Sequence, residues 1–288
     1  MSAPLLNASG CLDALVAPAV AQSFDAFVTK TVTPLPREGN PPPRIAETAH
    51  GMLNSIGLQN PGIEAFVRDH LPRLQELGVP IWASVGGFSA ADYAAVCAAL
   101  DDCDTVATIE LNLSCPNVEE APETTAELVR AARSATSKPL YAKLSPATWD
   151  IAETARSVAD AGADGLSLVN TIRGLALHPG TRRSALALGP GGYSGPGLAP
   201  IALACVDACA RAVELPIVGM GGVFSGRDAR DLLDAGAHTI ALGTVLFTDP
   251  FAPVRIRQEL EAEPTAGAPG PTPGRVPGKV REAASPAP

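Results

Sequence analysis

Aromatic residues make up only 4% of the 288 residues, so any large core has to be built from Ala, Val, Leu and Ile. An apolar content of 46% is ample for that. Basic residues are also in the minority. The net charge of −9 argues against nucleic acid as a partner, because phosphate backbones require a basic surface. A phosphate-bearing small molecule would have to be held by local backbone donors instead. The six cysteines, at 11, 97, 103, 115, 205 and 209, form no C-x-x-C pair and no metal-ligand spacing. Cys205 and Cys209, four apart on an Ala-rich segment, read as core residues, and Trp82 and Trp149 as packing. The four histidines, 50, 70, 178 and 238, are scattered, so no metal site is expected. No basic region followed by an apolar run opens the chain, and the expectation is a cytoplasmic protein with free thiols. The longest uncharged stretch, Ser184 to Val206, contains five Gly and three Pro, which excludes a membrane helix there.

Short apolar runs alternate with Ala-rich helical segments, the pattern of repeated βα units and a parallel sheet. Strands are predicted over 4–9, 26–32, 80–85, 105–111, 140–144, 164–169, 216–219 and 238–242. Helices are predicted over 13–22, 63–77, 89–100, 124–134, 149–161, up to 213, 225–235 and 252–261. Eight such units close a (β/α)8 TIM barrel, with 1–263 as a single domain. Residues 34–62 and the Gly-rich 189–197 read as long loops. Residues 264–288 are rich in Pro, Gly and Ala without apolar periodicity and are expected to be a disordered tail.

In such a barrel the strand C-termini share one face. The run Asn112-Leu113-Ser114-Cys115-Pro116-Asn117 begins at one of those ends and packs two amides and a thiol into six residues. Amides can hold a planar polar ligand by its edges, and a thiol can exchange a proton. Ser9, Lys30, Lys143 and Asn170 occupy other strand ends. A buried lysine without an anionic partner is costly, so an anion-bearing ligand over the mouth is expected. Gly221-Gly222 and Gly243-Thr244 follow the last two strands, where barrels of this type bind phosphate.

The runs LNSIGLQNPG (53–62), NLSCPNV (112–118), VNT (169–171), GGYSGPGLAPIAL (191–203) and MGGVFSGRDA (220–229) resemble the dihydroorotate dehydrogenase family. So do KTVT (30–33) and REGNPPPRIAET (37–48), and the likeness extends from about Pro4 to Glu261. It is most similar to the class 1, subtype B catalytic subunit: Cys115 is the class 1 mark, where the membrane-associated class 2 enzymes carry Ser. The resemblance implies FMN as cofactor, lined by Ser9, Lys30, Thr31, Ser84, Asn112, Lys143 and Val169. Its phosphate would lie on Gly221, Gly222, Gly243 and Thr244, with Gly195 nearby. It implies dihydroorotate as substrate, contacted by Lys30, Asn54, Ser55, Ile56, Gly57, Leu58, Asn112, Asn117, Asn170 and Thr171. Cys115 would be the catalytic base in forming orotate, a step of de novo pyrimidine (UMP) biosynthesis. It further implies a homodimer core and a partner subunit with FAD and an iron–sulfur cluster that passes electrons to NAD.

Three departures from the family pattern stand out. Ser84 replaces the usual Asn, which weakens or replaces one flavin contact. The segment after Val118 is short, which bears on closure over the substrate. The chain begins almost at the first strand, without the usual β-hairpin. Alternative readings are an FMN oxidoreductase acting on another dihydropyrimidine, a catalytically idle flavin-binding paralogue, or a flavin-free sugar-phosphate isomerase.

Overall fold

A computed structural model describes residues 3–113 and 124–262. Alternation along the strands sorts side chains into two shells. In the strand Val106–Asn112, Ile109 and Leu111 pack outward in the large apolar cluster, whereas the intervening Thr108 and Glu110 point to the other side. The strands in chain order that build this barrel and its lid are β1 (Leu5–Asn7), β2 (Phe27–Val28), β3 (Ile45–Thr48), β4 (Gly51–Asn54), β5 (Ile81–Val85) and β6 (Val106–Asn112). They continue with β7 (Leu140–Leu144), β8 (Gly165–Leu168), β9 (Ile172–Gly174), β10 (Gly191–Ser194), β11 (Ile217–Met220) and β12 (Thr239–Leu242).

Eight of them form one parallel sheet in the order β1-β12-β11-β8-β7-β6-β5-β2. A parallel bridge between Leu6 and Ala26 joins its two ends, so the sheet is a (β/α)8 barrel, as the alternating pattern predicts. The seam is thin, because β1 and β2 are short. The buried side chain of Asn7 completes it: Nδ2 donates to the Val28 carbonyl at 2.7 Å and Oδ1 accepts from the Val28 N–H at 2.8 Å. The inside of the barrel is filled by Leu6, Ala26, Val28, Val218, Met220 and Ala241, with Trp82 and Tyr141 alongside. These two rings pack at a centroid distance of 4.7 Å, tilted against one another.

The outer helices are α1 (Pro18–Ala21), α2 (Ile63–Ala65), α3 (Leu71–Gln75), α4 (Ala90–Asp101), α5 (Thr125–Ala135), α6 (Ile151–Asp160), α7 (Ala199–Ala212), α8 (Gly226–Asp234) and α9 (Ala252–Glu261). Ser89, Thr124, Asp150 and Ser225 each cap a helix by accepting from the backbone three residues on. Thr124–Glu127 and Ser225–Asp228 form full capping boxes. Cys205 and Cys209 are buried on α7, as expected of core residues.

Four expectations are corrected. The segment 13–22 is mostly a turn held by Asp13 Oδ1 on the Leu15 and Val16 N–H groups, and helix begins only at Pro18. The segment 63–77 is broken by a wide turn, Phe66–His70, in which the Leu71 N–H reaches back to Phe66; Pro72 next to it has no N–H to give. The long loops 34–62 and 189–197 are partly strand: β3-β4-β10-β9 make an antiparallel sheet over the C-terminal side of the barrel. Trp149 is fully exposed, since it precedes the Asp150 cap and lies off the buried helix face.

Two outcomes follow for stability. Asn7→Ala strands two buried backbone groups of Val28 and is expected to cost about 2–4 kcal/mol in urea unfolding; an unchanged midpoint would remove Asn7 from the seam. Burial pushes the Cys97 and Cys209 thiols up to about 12 from 9.0. A raised thiol pKa favours the folded state below the unfolded value, so this contribution is present below about pH 9 and lost progressively as pH rises towards 12. Replacing both cysteines by Ala should flatten the fall in melting temperature across that window.

Candidate functional site

The C-terminal ends of the strands carry a polar layer above the apolar interior. Lys143 on β7 is in register with Asn112 on β6 and with Ser167 on β8. Its ammonium donates to Glu110 Oε1 at 3.3 Å, and both side chains are buried, 7% and 1% exposed. The expectation that Lys143 needs a ligand anion is therefore corrected: Glu110, one pleat below Asn112, already supplies a counter-charge. A carboxylate inside an apolar strand was the signal for it in the sequence, and that signal was overlooked.

Lys30 follows β2 and is half-buried. Its stem lies against Gly10, where a Cβ would come within 2.9 Å of Cδ. Cys11, another residue not singled out in advance, stands beside Gly243, with its sulfur 3.5 Å from where a Cβ there would be. Burial pushes the Cys11 thiol up, while the ammonium groups of Lys143 and Lys30 pull it down and Glu110 pushes it up further.

A chain of hydrogen bonds crosses four strand ends. The Ser84 and Thr31 hydroxyls lie 2.9 Å apart, Asn112 Nδ2 donates to Thr31 Oγ1 at 3.3 Å, and Asn170 Nδ2 donates to Asn112 Oδ1 at 3.0 Å. Asn170 Oδ1 then accepts from the Thr171 N–H at 2.7 Å. Ser9 Oγ, which donates to the Thr29 carbonyl, lies 3.4 Å from Thr31 Oγ1. Ser84 is fully buried, so it acts through Thr31 rather than at the surface of the mouth. Tyr93, reaching up from α4, donates to the Asn112 carbonyl at 2.7 Å.

The antiparallel sheet brings in Asn54, whose Nδ2 donates to the Gly192 carbonyl. A side chain on Gly192 would strike the Thr171 hydroxyl, which places Asn54 beside Thr171. The turn Ser55–Leu58 is pinned by Asn40, whose amide donates to the Ser55 carbonyl and hydroxyl while its N–H donates to the Ile56 carbonyl. Arg37 adds a bond to the Gly57 carbonyl. Asn40 was missed as well; it lies within the quoted run 37–48, among prolines that mask its role.

At the last two strand ends, Gly221 and Gly222 have φ of +114° and +80°, and a Cβ on Gly222 would meet the Ala199 backbone at 2.6 Å. The approach of α7 thus demands glycine there irrespective of any ligand. Gly243 differs in its contacts, since a Cβ would make only ordinary ones with Ala8 and Cys11, but its φ of −118° with ψ of −100° lies outside the regions other residues favour. Thr244 donates to the Ser194 hydroxyl at 2.8 Å, tying this end to β10 and so to Gly195. Val169 is buried against Gly221 and its N–H donates to the Met220 carbonyl. Cys115 and Asn117 lie outside the described residues. No three His, Cys, Asp or Glu side chains among the described residues group as a metal site.

The Ser167 hydroxyl is fully buried and has no partner among the described residues. Together with the buried Lys143–Glu110 pair, it gives this layer donors and acceptors of the kind that suit a polar ligand edge. A parallel barrel with such a layer at its C-terminal face is a (β/α)8-barrel enzyme by design.

Comparison with known sequences identifies which. The model of the family described as dihydroorotate dehydrogenase matches residues 1–263, and this chain belongs to that family of oxidoreductases. The "Dihydroorotate dehydrogenase B (NAD(+)), catalytic subunit" of Listeria monocytogenes serovar 1/2a is 42% identical over 269 residues, 89% of this chain and 88% of that protein. Proteins of the same description from Geobacter sp. (strain M21) and Cutibacterium acnes are 44% and 43% identical, covering 83% and 90% of this chain and 81% and 88% of their own lengths. No helix among the described residues is long and apolar enough to cross a membrane.

The hydrogen-bonded chain is testable without a ligand. Thr31→Val leaves the buried Ser84 hydroxyl unpaired and is expected to cost about 1–3 kcal/mol by chemical denaturation. The double variant Thr31→Val with Ser84→Ala removes both hydroxyls of that pair and should recover the part of the loss due to Ser84, while Asn112 Nδ2 still lacks its Thr31 acceptor. Strict additivity of the two would mean that the pair is not coupled.

Proposed function

We propose that this chain is the catalytic subunit of an FMN-dependent enzyme oxidising dihydroorotate to orotate in de novo pyrimidine biosynthesis. The observation that carries the reading is the amide cage of Asn54, Asn112, Asn170 and Thr171 beside two lysines, within a chain of this family. The substrate is a flat cyclic diamide bearing a carboxylate. Carboxamides offer it both donors and acceptors, and Lys30 meets its negative charge.

The residues that fit the cofactor are Lys143 and Lys30, Ser9, Thr31 and Val169 around its ring, and Gly221, Gly222, Gly243 and Thr244 around its phosphate. When bound, FMN supplies the hydride acceptor and thereby the redox chemistry that no side chain here can provide. The chain itself holds the substrate flat, excludes water beneath the sheet β3-β4-β10-β9, and removes the acidic proton next to the carbonyl. Cys115 is assigned that proton: its thiol comes three residues after Asn112 and matches the class 1 mark. A thiol titrates ordinarily near 8.5, so a small downward pull suffices near neutral pH. Asn117 joins the cage on the same sequence grounds. The relatives' description as catalytic subunits linked to NAD(+) supports a partner with FAD and an iron–sulfur cluster. A homodimeric core in the cytoplasm completes the reading.

The purified protein is expected to be yellow, with one FMN per chain. Cys115→Ala should keep the flavin band and lose at least a hundredfold in the rate of flavin bleaching by dihydroorotate at pH 7 in stopped flow. A wild-type bleaching rate in that variant would take the base role away from Cys115, and a colourless protein that binds no added FMN would end the flavin reading itself.

A further inference from the structure

Among the described residues Glu110 is the one carboxylate buried in the polar layer, and nothing in the proposed reaction uses it. It sits beneath Asn112 on the same strand and faces Lys143 across the β6–β7 ladder. A buried ion pair is a poor stabiliser by comparison with apolar packing, because both ions must be stripped of water. Its presence therefore asks for a reason other than stability. The pair lies directly under the strand ends where the flavin ring is placed, and Ser167, the register neighbour of Lys143, leaves a buried hydroxyl unpartnered beside it.

The geometry points to Glu110 as a positioning residue: it fixes the Lys143 ammonium in one direction and offsets its charge, so that the pair, rather than the lysine alone, sets the reduction potential of the bound flavin. This rests on the flavin reading above. An isolated lysine in a buried site would favour the anionic reduced cofactor strongly, by the attraction of unlike charges at low dielectric. A carboxylate 3.3 Å from that ammonium reduces the preference and keeps the potential low enough to pass electrons onward. The amide of Gln at this position would keep a hydrogen-bond acceptor for Lys143 while removing the charge.

The test is the midpoint potential of the flavin-loaded protein, measured at pH 7 against a reference dye with an enzymatic reductant and no dihydroorotate. Titration of each apoprotein with FMN, followed by fluorescence quenching, first establishes that the flavin is bound; if wild type binds none, it is the flavin reading that fails. Glu110→Gln is expected to bind FMN and to favour the reduced form tenfold more than wild type, a rise of ~30 mV for a two-electron couple. In a Lys143→Met background the same change should give a smaller rise, because Glu110 then has no ammonium whose direction it fixes or whose charge it offsets. A wild-type potential in flavin-loaded Glu110→Gln, a fall, or an equal rise without Lys143 would overturn the proposal. Should the Gln variant not fold, Glu110→Asp carries the test: withdrawing the carboxylate by one methylene is expected to raise the preference about threefold, ~14 mV. An unshifted potential there would overturn it equally.

Discussion

The side-chain amide of Asn7 replaces a missing strand ladder. β1 and β2 are too short to pair along their length, and the barrel closes through the bridge of Leu6 to Ala26, hydrogen bonds between Leu5 and Asp25, and two from this amide to the Val28 backbone. The rest of the site depends on that closure. Ser9 and Cys11 follow β1, Lys30 and Thr31 follow β2, and the two groups meet the other strand ends only because the seam is shut. Ser9 reinforces it one step higher by donating to the Thr29 carbonyl.

Above the seam the interior changes character within one pleat. Trp82 and Tyr141 pack against the inner apolar cluster that includes Val218 and Met220, and Ser84, Glu110, Lys143 and Ser167 are buried polar residues two positions further along their strands or in register with these. Each polar group that is removed from water must find a partner or remain costly, so the layer is internally bonded: Thr31 to Ser84, Asn112 to Thr31, Asn170 to Asn112, Lys143 to Glu110. Such a network holds amides at fixed angles before any ligand arrives, and this pre-organisation keeps ordering costs low when a flat, rigid ligand binds. The antiparallel sheet adds Asn54 and the turn 55–58 from the opposite side, with Asn40 and Arg37 holding that turn.

The glycines after the last two strands show how one residue type is imposed in two ways. Gly221 and Gly222 are required by positive φ and by the approach of α7, whereas at Gly243 no close contact but the backbone angles, φ −118° and ψ −100°, favour glycine.

Much of this was legible in the one-dimensional pattern. Alternating apolar runs and Ala-rich segments determined the eight-stranded parallel barrel, and four of the predicted helices begin within two residues of caps at Ser89, Thr124, Asp150 and Ser225. Local propensity and capping act over a few residues, and so they can be read from neighbours in sequence. The amides and lysines at strand ends were readable for the same reason, since a strand end is a local event. What only the tertiary structure decided was which of them touch. Asn7 bonding Val28, Glu110 meeting Lys143, Asn40 gripping 55–57, and β3, β4, β9 and β10 joining into a sheet all connect segments distant in the chain. Such pairings are set by barrel closure and register, and no window of sequence carries that information.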